Sequence, residues 1–166
     1  MLREYGPAVS DDHSDRALQA AAGLGLAHEV TRHGPVRSLA EAAAARGVEP
    51  HQLVKTMVVR VSEDEHVFVL VPGDREIAWP KLRALLGVNR LTMASADAAY
   101  DVTGYVRGTI TPLGSRTPLP VVADASVEGR ISLGGGAPGV ALTVDAAELV
   151  AALGATAADV TSADPS

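Results

Sequence analysis

Lysine is scarce in this 166-residue chain, where Lys55 and Lys81 stand against twelve arginines. A lone lysine in the most apolar segment, Leu53 to Val61, suggests a site that needs a compact, titratable ammonium rather than a planar guanidinium. In an extended strand Lys55 shares a face with Leu53, Met57, Val59 and Val61, while Val54, Thr56, Val58 and Arg60 share the other. An unpaired charge on so apolar a face is costly, so the ammonium must reach a cavity, a partner or water. A lysine snorkelling from a strand end is the simpler alternative.

Other chemistry-bearing residues are sparser. The run Ile131 to Val144 contains GxGxxG at Gly134, Gly136 and Gly139, but Pro138 follows and then a strand-like run, where a dinucleotide fingerprint requires a helix. A tight connection between two strands fits better, either a plain hairpin loop or one that turns backbone N–H groups toward a ligand. The histidines His13, His28, His33, His51 and His66 lack metal-ligand spacing and read as surface groups. Only His33, beside Gly34 and Pro35, is kept as a site candidate. With no cysteine, disulfides, zinc-thiolate centres and thiol nucleophiles are excluded. There is no GxSxG elbow, and Ser132 stands out only for its place before the triple glycine.

The elements that must position these residues follow from period and punctuation. Ser14 can cap a helix to about Leu24, followed by a strand over His28 to Arg32. Ser38-Leu39-Ala40-Glu41 is a capping box ahead of an alanine-rich helix that Gly47 ends. Leu53 to Val61 and Val67 to Val71 predict a hairpin around the five-residue loop SEDEH. A short helix over Pro80 to Leu86 ends at Gly87. Arg90 to Met93 predicts a strand, and Ser95 to Ala99 a turn or two of helix. Thr103 to Pro120, with three glycines and three prolines, predicts a long shaped loop. Strands over Val121 to Ala123, Arg130 to Leu133 and Val140 to Val144 precede a last helix, capped by Asp145, that runs to Leu153. Strands outnumber helices without strict alternation, which predicts a single α+β domain with a mixed sheet over residues 13–154. Residues 1–12 and 155–166 lack apolar period and are expected to be flexible.

Composition narrows the partners. The net charge is −6, with the acids concentrated at the two ends, leaving residues 31–120 at +2. Five aromatic residues cannot make a multi-base stacking platform, and duplex DNA has no basic clamp to bind. The acidic N-terminus, without an apolar core segment, argues against secretion. No apolar run is long enough to span a membrane, so a cytoplasmic protein is expected.

Three segments in order, Leu53-Val54-Lys55-Thr56-Met57-Val58-Val59, Thr103 to Gly114 and Ile131 to Gly136, resemble the YbaK/EbsC family, over about residues 25–153. That family includes trans-editing aminoacyl-tRNA deacylases and the editing domain inserted in bacterial prolyl-tRNA synthetases. The resemblance implies an α+β fold with a curved mixed sheet flanked by helices. It also implies metal-independent, cofactor-free hydrolysis of the ester on mischarged tRNA, with Cys- or Ala-tRNA(Pro) the expected substrates. Its expected partners are the 3′ end of aminoacyl-tRNA and prolyl-tRNA synthetase. Lys55 matches the family lysine and Thr56 follows it, as in the Cys-tRNA(Pro) branch. Gly108, Thr109, Ile110, Thr111 and Pro112 match the loop around the aminoacyl group. Ser132, Gly134, Gly135 and Gly136 match the later motif. The resemblance makes Lys55 and Gly108 the expected catalytic positions and Thr56, Gly108 to Pro112, Ser132 and Gly134 to Gly136 substrate-binding ones; His33 joins the substrate-binding candidates from its place beside Gly34 and Pro35 alone. One departure bears on activity: relatives carry an aspartate or histidine soon after the glycines, where this chain has Ala137-Pro138-Gly139. A non-catalytic module that binds a small amino acid derivative or a synthetase is the alternative reading.

Overall fold

The computed structural model describes residues 13–164; the expectation for residues 1–12 lies outside them. Helix α1 (Ser14–Gly23) leads to strand β1 (Glu29–Arg32), helix α2 (Leu39–Arg46) and one 3-10 turn over Pro50–Gln52. The Ser38 hydroxyl accepts the Glu41 N–H at 3.0 Å, and Gly47 ends α2 at φ 71°. The reciprocal half of that box is displaced by one residue, because the Glu41 carboxylate accepts from the Arg37 N–H. At α1 the cap position falls on His13, and Ser14 is already helical and buried.

The hairpin strands β2 (Val54–Ser62) and β3 (Glu65–Pro72) come next. After them are β4 (Arg75–Ile77), α3 (Trp79–Leu86), β5 (Thr92–Met93) and α4 (Ala96–Thr103). A loop over 104–120 leads to β6 (Val121–Asp124), β7 (Arg130–Gly134), β8 (Val140–Asp145), α5 (Ala146–Leu153), β9 (Thr156–Ala158) and β10 (Thr161–Ala163). The largest sheet has the order β9-β6-β3-β2-β5. It is mixed, since β3–β6 and β6–β9 run parallel while β2 pairs antiparallel with both β3 and β5. An antiparallel sheet, β1-β8-β7, is joined to it by a parallel bridge between Leu53 and Ser132. β4 and β10 form a separate antiparallel pair.

Period two in the hairpin sorts side chains to two cores. Val54, Val58, Phe68 and Leu70 face one core with Ile131, Leu133, Leu142 and Leu149. Val59, Val67, Val69 and Val71 face the other with Leu82, Ile77 and Val160. Covered on both faces, β3 is apolar at every position from Val67 to Val71, as a strand buried on both sides must be.

Four boundaries differ from expectation. The five-residue loop contracts to the turn Glu63–Asp64, because Ser62 pairs with Glu65 across a register shift after Arg60. Polar composition there marks exposure, not an absence of pairing. The strand expected from Arg90 keeps only Thr92–Met93, and the turn after Ser95 extends to a helix through Thr103. Within the segment expected to be flexible, Thr156–Ala158 and Thr161–Ala163 form strands: β9 adds to the large sheet and β10 covers the edge of β4. Strands this short carry no legible period, and one fully buried residue between them, Val160, anchors both.

Asp124 holds that segment electrostatically. Its carboxylate is buried and accepts from the Val160 N–H at 2.9 Å, from the Ser126 N–H at 3.0 Å and from the Ser126 hydroxyl. Burial alone raises its pKa, but the bonds from Ser126, Val160 and Thr161 outweigh that and hold it below the ordinary aspartate value. A folded-state pKa below the unfolded one stabilises the protein above about pH 4, and that stability is lost as the pH falls through the lowered value. Asp124→Asn presents an amide N–H₂ to groups that are themselves donors. It should cost about 1–3 kcal/mol at neutral pH and flatten the acid limb of stability against pH, measured by denaturant unfolding from pH 7 to 3.

Candidate functional site

The edge of β2 away from β3 is only partly covered. β5 pairs with it at Val59 and Arg60, and the Ala94 N–H extends that contact to the Val58 carbonyl at 3.0 Å. At the other end Leu53 bridges to Ser132. Between these ties no strand lies along residues 54–57. Peptide groups alternate between the two edges of a strand. The Val58 carbonyl faces β5, so the N–H and C=O of Thr56 face the uncovered side.

A cavity of about 290 Å³ fills this gap. Its floor is Leu53 to Val58, and its walls include Met93, Ala94 and Ala99 on one side and Ile110 and Gly134 on the other. Lys55, Arg46 and Arg107 line it, and among the described residues no acidic one does. The Lys55 Nζ donates to the Arg75 carbonyl at 2.8 Å. An ammonium has three hydrogens, so two remain to donate, and among the described residues no carboxylate lies within ion-pairing distance of it. The Thr56 Oγ1 and the Arg46 Nε are buried without hydrogen-bond partners among the described residues. Burial pushes the Arg46 pKa below its ordinary value. Orphan donors beside a cavity favour a ligand rich in acceptor oxygens.

Of the residues singled out in the sequence, Lys55, Thr56, Gly108, Ile110 and Gly134 meet at this cavity. The others support it or lie apart. The Thr109 hydroxyl donates to the Val106 carbonyl at 2.7 Å, and the Thr111 hydroxyl accepts from the Leu113 N–H at 3.2 Å, so both shape the loop internally. Pro112 is buried. Ser132, fully buried with an unpartnered hydroxyl, lies next to the lining through its bridge to Leu53. The Gly135 N–H donates to the Val140 carbonyl at 2.9 Å and the Gly136 N–H to the Thr109 carbonyl at 3.0 Å. Neither amide is left for a ligand, contrary to one reading of the glycine run. His33 pairs its backbone N–H with the Gly139 carbonyl at 2.8 Å and does not reach the cavity lining.

The loop wall is held from behind. The Tyr105 hydroxyl donates to the Leu113 carbonyl at 2.8 Å, and Arg16 donates to the Gly114 and Thr103 carbonyls at 2.8 Å each. The Arg16 guanidinium also lies 4.5 Å from the centre of the Tyr105 ring. Sequence reasoning missed Arg46 and Arg107. Arg46 reads as the favourable basic residue in the last turn of an alanine-rich helix, and Arg107 as an exposed loop residue. Only the direct proximity of Arg107 to Gly108 could have signalled either one.

With this geometry in place, comparison with known proteins is decisive: the model of the aminoacyl-tRNA editing domain matches residues 33–152. The chain belongs to that family. Among curated relatives, the editing domain is 40% identical over 93 residues to a proline–tRNA ligase of Geobacter sp. (strain M21), covering 56% of this chain and 16% of that protein. It is 34% identical over 125 residues to a proline–tRNA ligase of Trichlorobacter lovleyi, covering 75% of this chain and 21% of that protein. The chain therefore spans 16% and 21% of the length of these two relatives. A solved structure described as a candidate trans-editing enzyme for prolyl tRNA synthetase superposes with a TM-score of 0.81 at 28% identity, covering 96% of this chain and 99% of that one. The α+β fold with a mixed sheet expected from the resemblance is the fold found.

Two glycines of the editing domain separate backbone freedom from close approach. Gly108 (φ 91°) and Gly136 (φ 90°) both adopt a conformation unfavourable to L side chains, but a Cβ on Gly108 would meet nothing within 4 Å. A Cβ on Gly136 would lie 2.8 Å from the Tyr105 ring and 3.0 Å from the His13 carbonyl. Gly108→Ala should cost about 1 kcal/mol, and Gly136→Ala a further 1–3 kcal/mol or so for overpacking, both read by thermal or denaturant unfolding.

Proposed function

We propose that this editing domain hydrolyses the ester of mischarged tRNA, with tRNA(Pro) carrying cysteine or alanine as its substrate. The observation that carries this reading is the composition of the cavity at the open edge of β2. It is small and largely apolar, with three cations, an orphan hydroxyl and a strand edge without a ladder partner around it. A pocket of this size sorts amino acids by bulk, which a synthetic site does poorly when the wrong amino acid is smaller or isosteric.

The reaction needs little machinery because an aminoacyl ester is already activated. A water oxygen attacks the carbonyl carbon, and the bond to the ribose oxygen then breaks. The proton passes to that leaving oxygen, releasing the free amino acid and an intact tRNA end. Charge develops on the carbonyl oxygen in the transition state. With the Gly135 and Gly136 amides bonded within the protein, stabilisation falls to Lys55, the Thr56 hydroxyl and the edge N–H of Thr56. Arg46 and Arg107 supply the positive surroundings for the terminal phosphate. The turn that lacks an aspartate or histidine, Ala137 to Gly139, contributes nothing to the cavity lining. The groups assigned here lie on β2, α2 and the loop over 104–120, so the reaction as proposed does not call on that turn.

Single-turnover deacylation of Cys-, Ala-, Ser- and Pro-tRNA(Pro) tests the reading. Lys55→Ala should keep a near wild-type melting temperature and lose about a hundredfold in rate, with Lys55→Arg a poor rescue because the planar fork cannot reproduce a compact ammonium. Undiminished deacylation by Lys55→Ala would remove the lysine from the reaction.

The charge distribution generates a second expectation. With residues 31–120 at only +2 within a chain of −6, few phosphates are neutralised at once. The slope of log kcat/KM against log salt should be about one to two, at roughly 0.7 per single-stranded phosphate. An aminoacylated acceptor-stem mimic should perform nearly as well as full tRNA, whereas a steep slope would mean that the tRNA body is read.

A further inference from the structure

A second cavity, of about 250 Å³, opens on the other side of the Lys55 side chain. It shares Lys55, Met57 and Met93 with the first and adds Val71, Glu76, Ile77 and Trp79. The two are chemically unlike. Among the described residues the first has no aromatic and no acidic lining residue, while the second has Trp79, the single tryptophan of the chain, and the Glu76 carboxylate. Each is smaller than a typical pocket for a drug-sized ligand, so each suits one small moiety. A ligand filling both would have two unlike halves joined beside an ammonium.

We propose that the Trp79 cavity receives the terminal adenine of the tRNA, with Trp79 as a stacking platform and Glu76 as acceptor for the exocyclic amino group. The inference rests on the deacylase reading, which puts the amino acid in the first cavity, and it adds the subsite for the nucleoside. A base separated from its neighbours is bound by stacking on an aromatic face and by hydrogen bonds to its edge. Trp79 and Glu76 offer one of each: Glu76 sits on β4 next to Arg75, whose carbonyl already fixes Lys55, and Trp79 opens α3 two residues after the strand ends at Ile77. With the base on Trp79 and the amino acid against Ile110 and Gly134, the ribose and its ester lie at Lys55, where the two spare ammonium hydrogens are. Met57 and Met93, flexible and polarizable, close the joint around whatever conformation the sugar adopts.

The lone tryptophan makes the test direct. Its fluorescence is titrated with adenosine 5′-monophosphate, with ribose 5-phosphate and with free alanine and cysteine, independently of any deacylation assay. A saturable change with the nucleotide alone supports the subsite. A change with the free amino acids, or none with the nucleotide, overturns it. Trp79→Ala should raise KM for Ala-tRNA(Pro) about tenfold, with kcat within about twofold, and Trp79→Phe should recover most of the loss. Glu76 is exposed, so Glu76→Gln should leave folding intact. It should weaken the nucleotide and raise KM on adenosine-ended substrate but not on a variant ending in purine riboside, which lacks the amino group. Deacylation that proceeds normally in Trp79→Ala and Glu76→Gln overturns the subsite and leaves the deacylase standing. Nucleotide binding without deacylation of any charged tRNA overturns the deacylase instead.

Discussion

A β-strand whose edge is buried but unpaired is a liability, because its peptide groups need partners that the sheet does not supply. In this domain a few residues of β2 lack a ladder partner on one edge, between the bridge from Leu53 to Ser132 and the bond from Ala94 to Val58. The second sheet, β5 and the loop over 104–120 are placed so that the gap becomes a cavity rather than an aggregation-prone edge. On the proposed reading, main-chain groups at this edge meet the ligand as a neighbouring strand would, as in modules that bind at a strand edge. Side chains add charge and shape around a polar strip that cannot be lost by substitution.

Rigidity behind the cavity is as necessary as its lining. Ile110 and Gly108 lie on a loop without regular secondary structure, yet its carbonyls are claimed by Arg16, the Tyr105 hydroxyl and the Gly136 amide. Burial raises the Tyr105 pKa, against the opposing effect of the adjacent Arg16, so the phenol stays neutral and keeps its proton for the Leu113 carbonyl. The glycine run serves this same fixation. Gly134 lets β7 pass 3.0 Å from the Ile110 carbonyl, measured from where a Cβ would stand, and Gly136 lets the turn press against the Tyr105 ring. Apart from Gly134, which lines the cavity, the residues that look most like a ligand loop in the sequence are close-packing residues one layer behind it.

That layering explains what was legible. Lys55 could be found because its type conflicts with its surroundings, and conflict of that kind is informative where a strand is otherwise apolar. The hairpin, the α2 cap and the glycine ends of α2 and α3 follow local rules and were readable. Arg46 was not, since its local role as a last-turn cation satisfies every helix rule, and its place beside Leu53 arises only through tertiary packing. His33 misled in the opposite sense: its side chain suggested chemistry, whereas its backbone does the work of aligning β1 with Gly139. The last strands escaped notice because a single buried valine and a buried carboxylate, not a periodic pattern, hold them.

The pairing of β4 with β10 carries a consequence for the order in which the domain acquires its site. β4 has only three residues, and its partner is β10, reinforced by the bond from Arg75 to the Thr161 hydroxyl at 2.6 Å. The carbonyl that orients the Lys55 ammonium belongs to that same Arg75. Contacts so distant in sequence form late, after local hairpins and helices. During synthesis strands β2, β3, β5 and β6 of the large sheet can therefore assemble while the lysine is still unanchored, and the site matures only when β10 has left the ribosome.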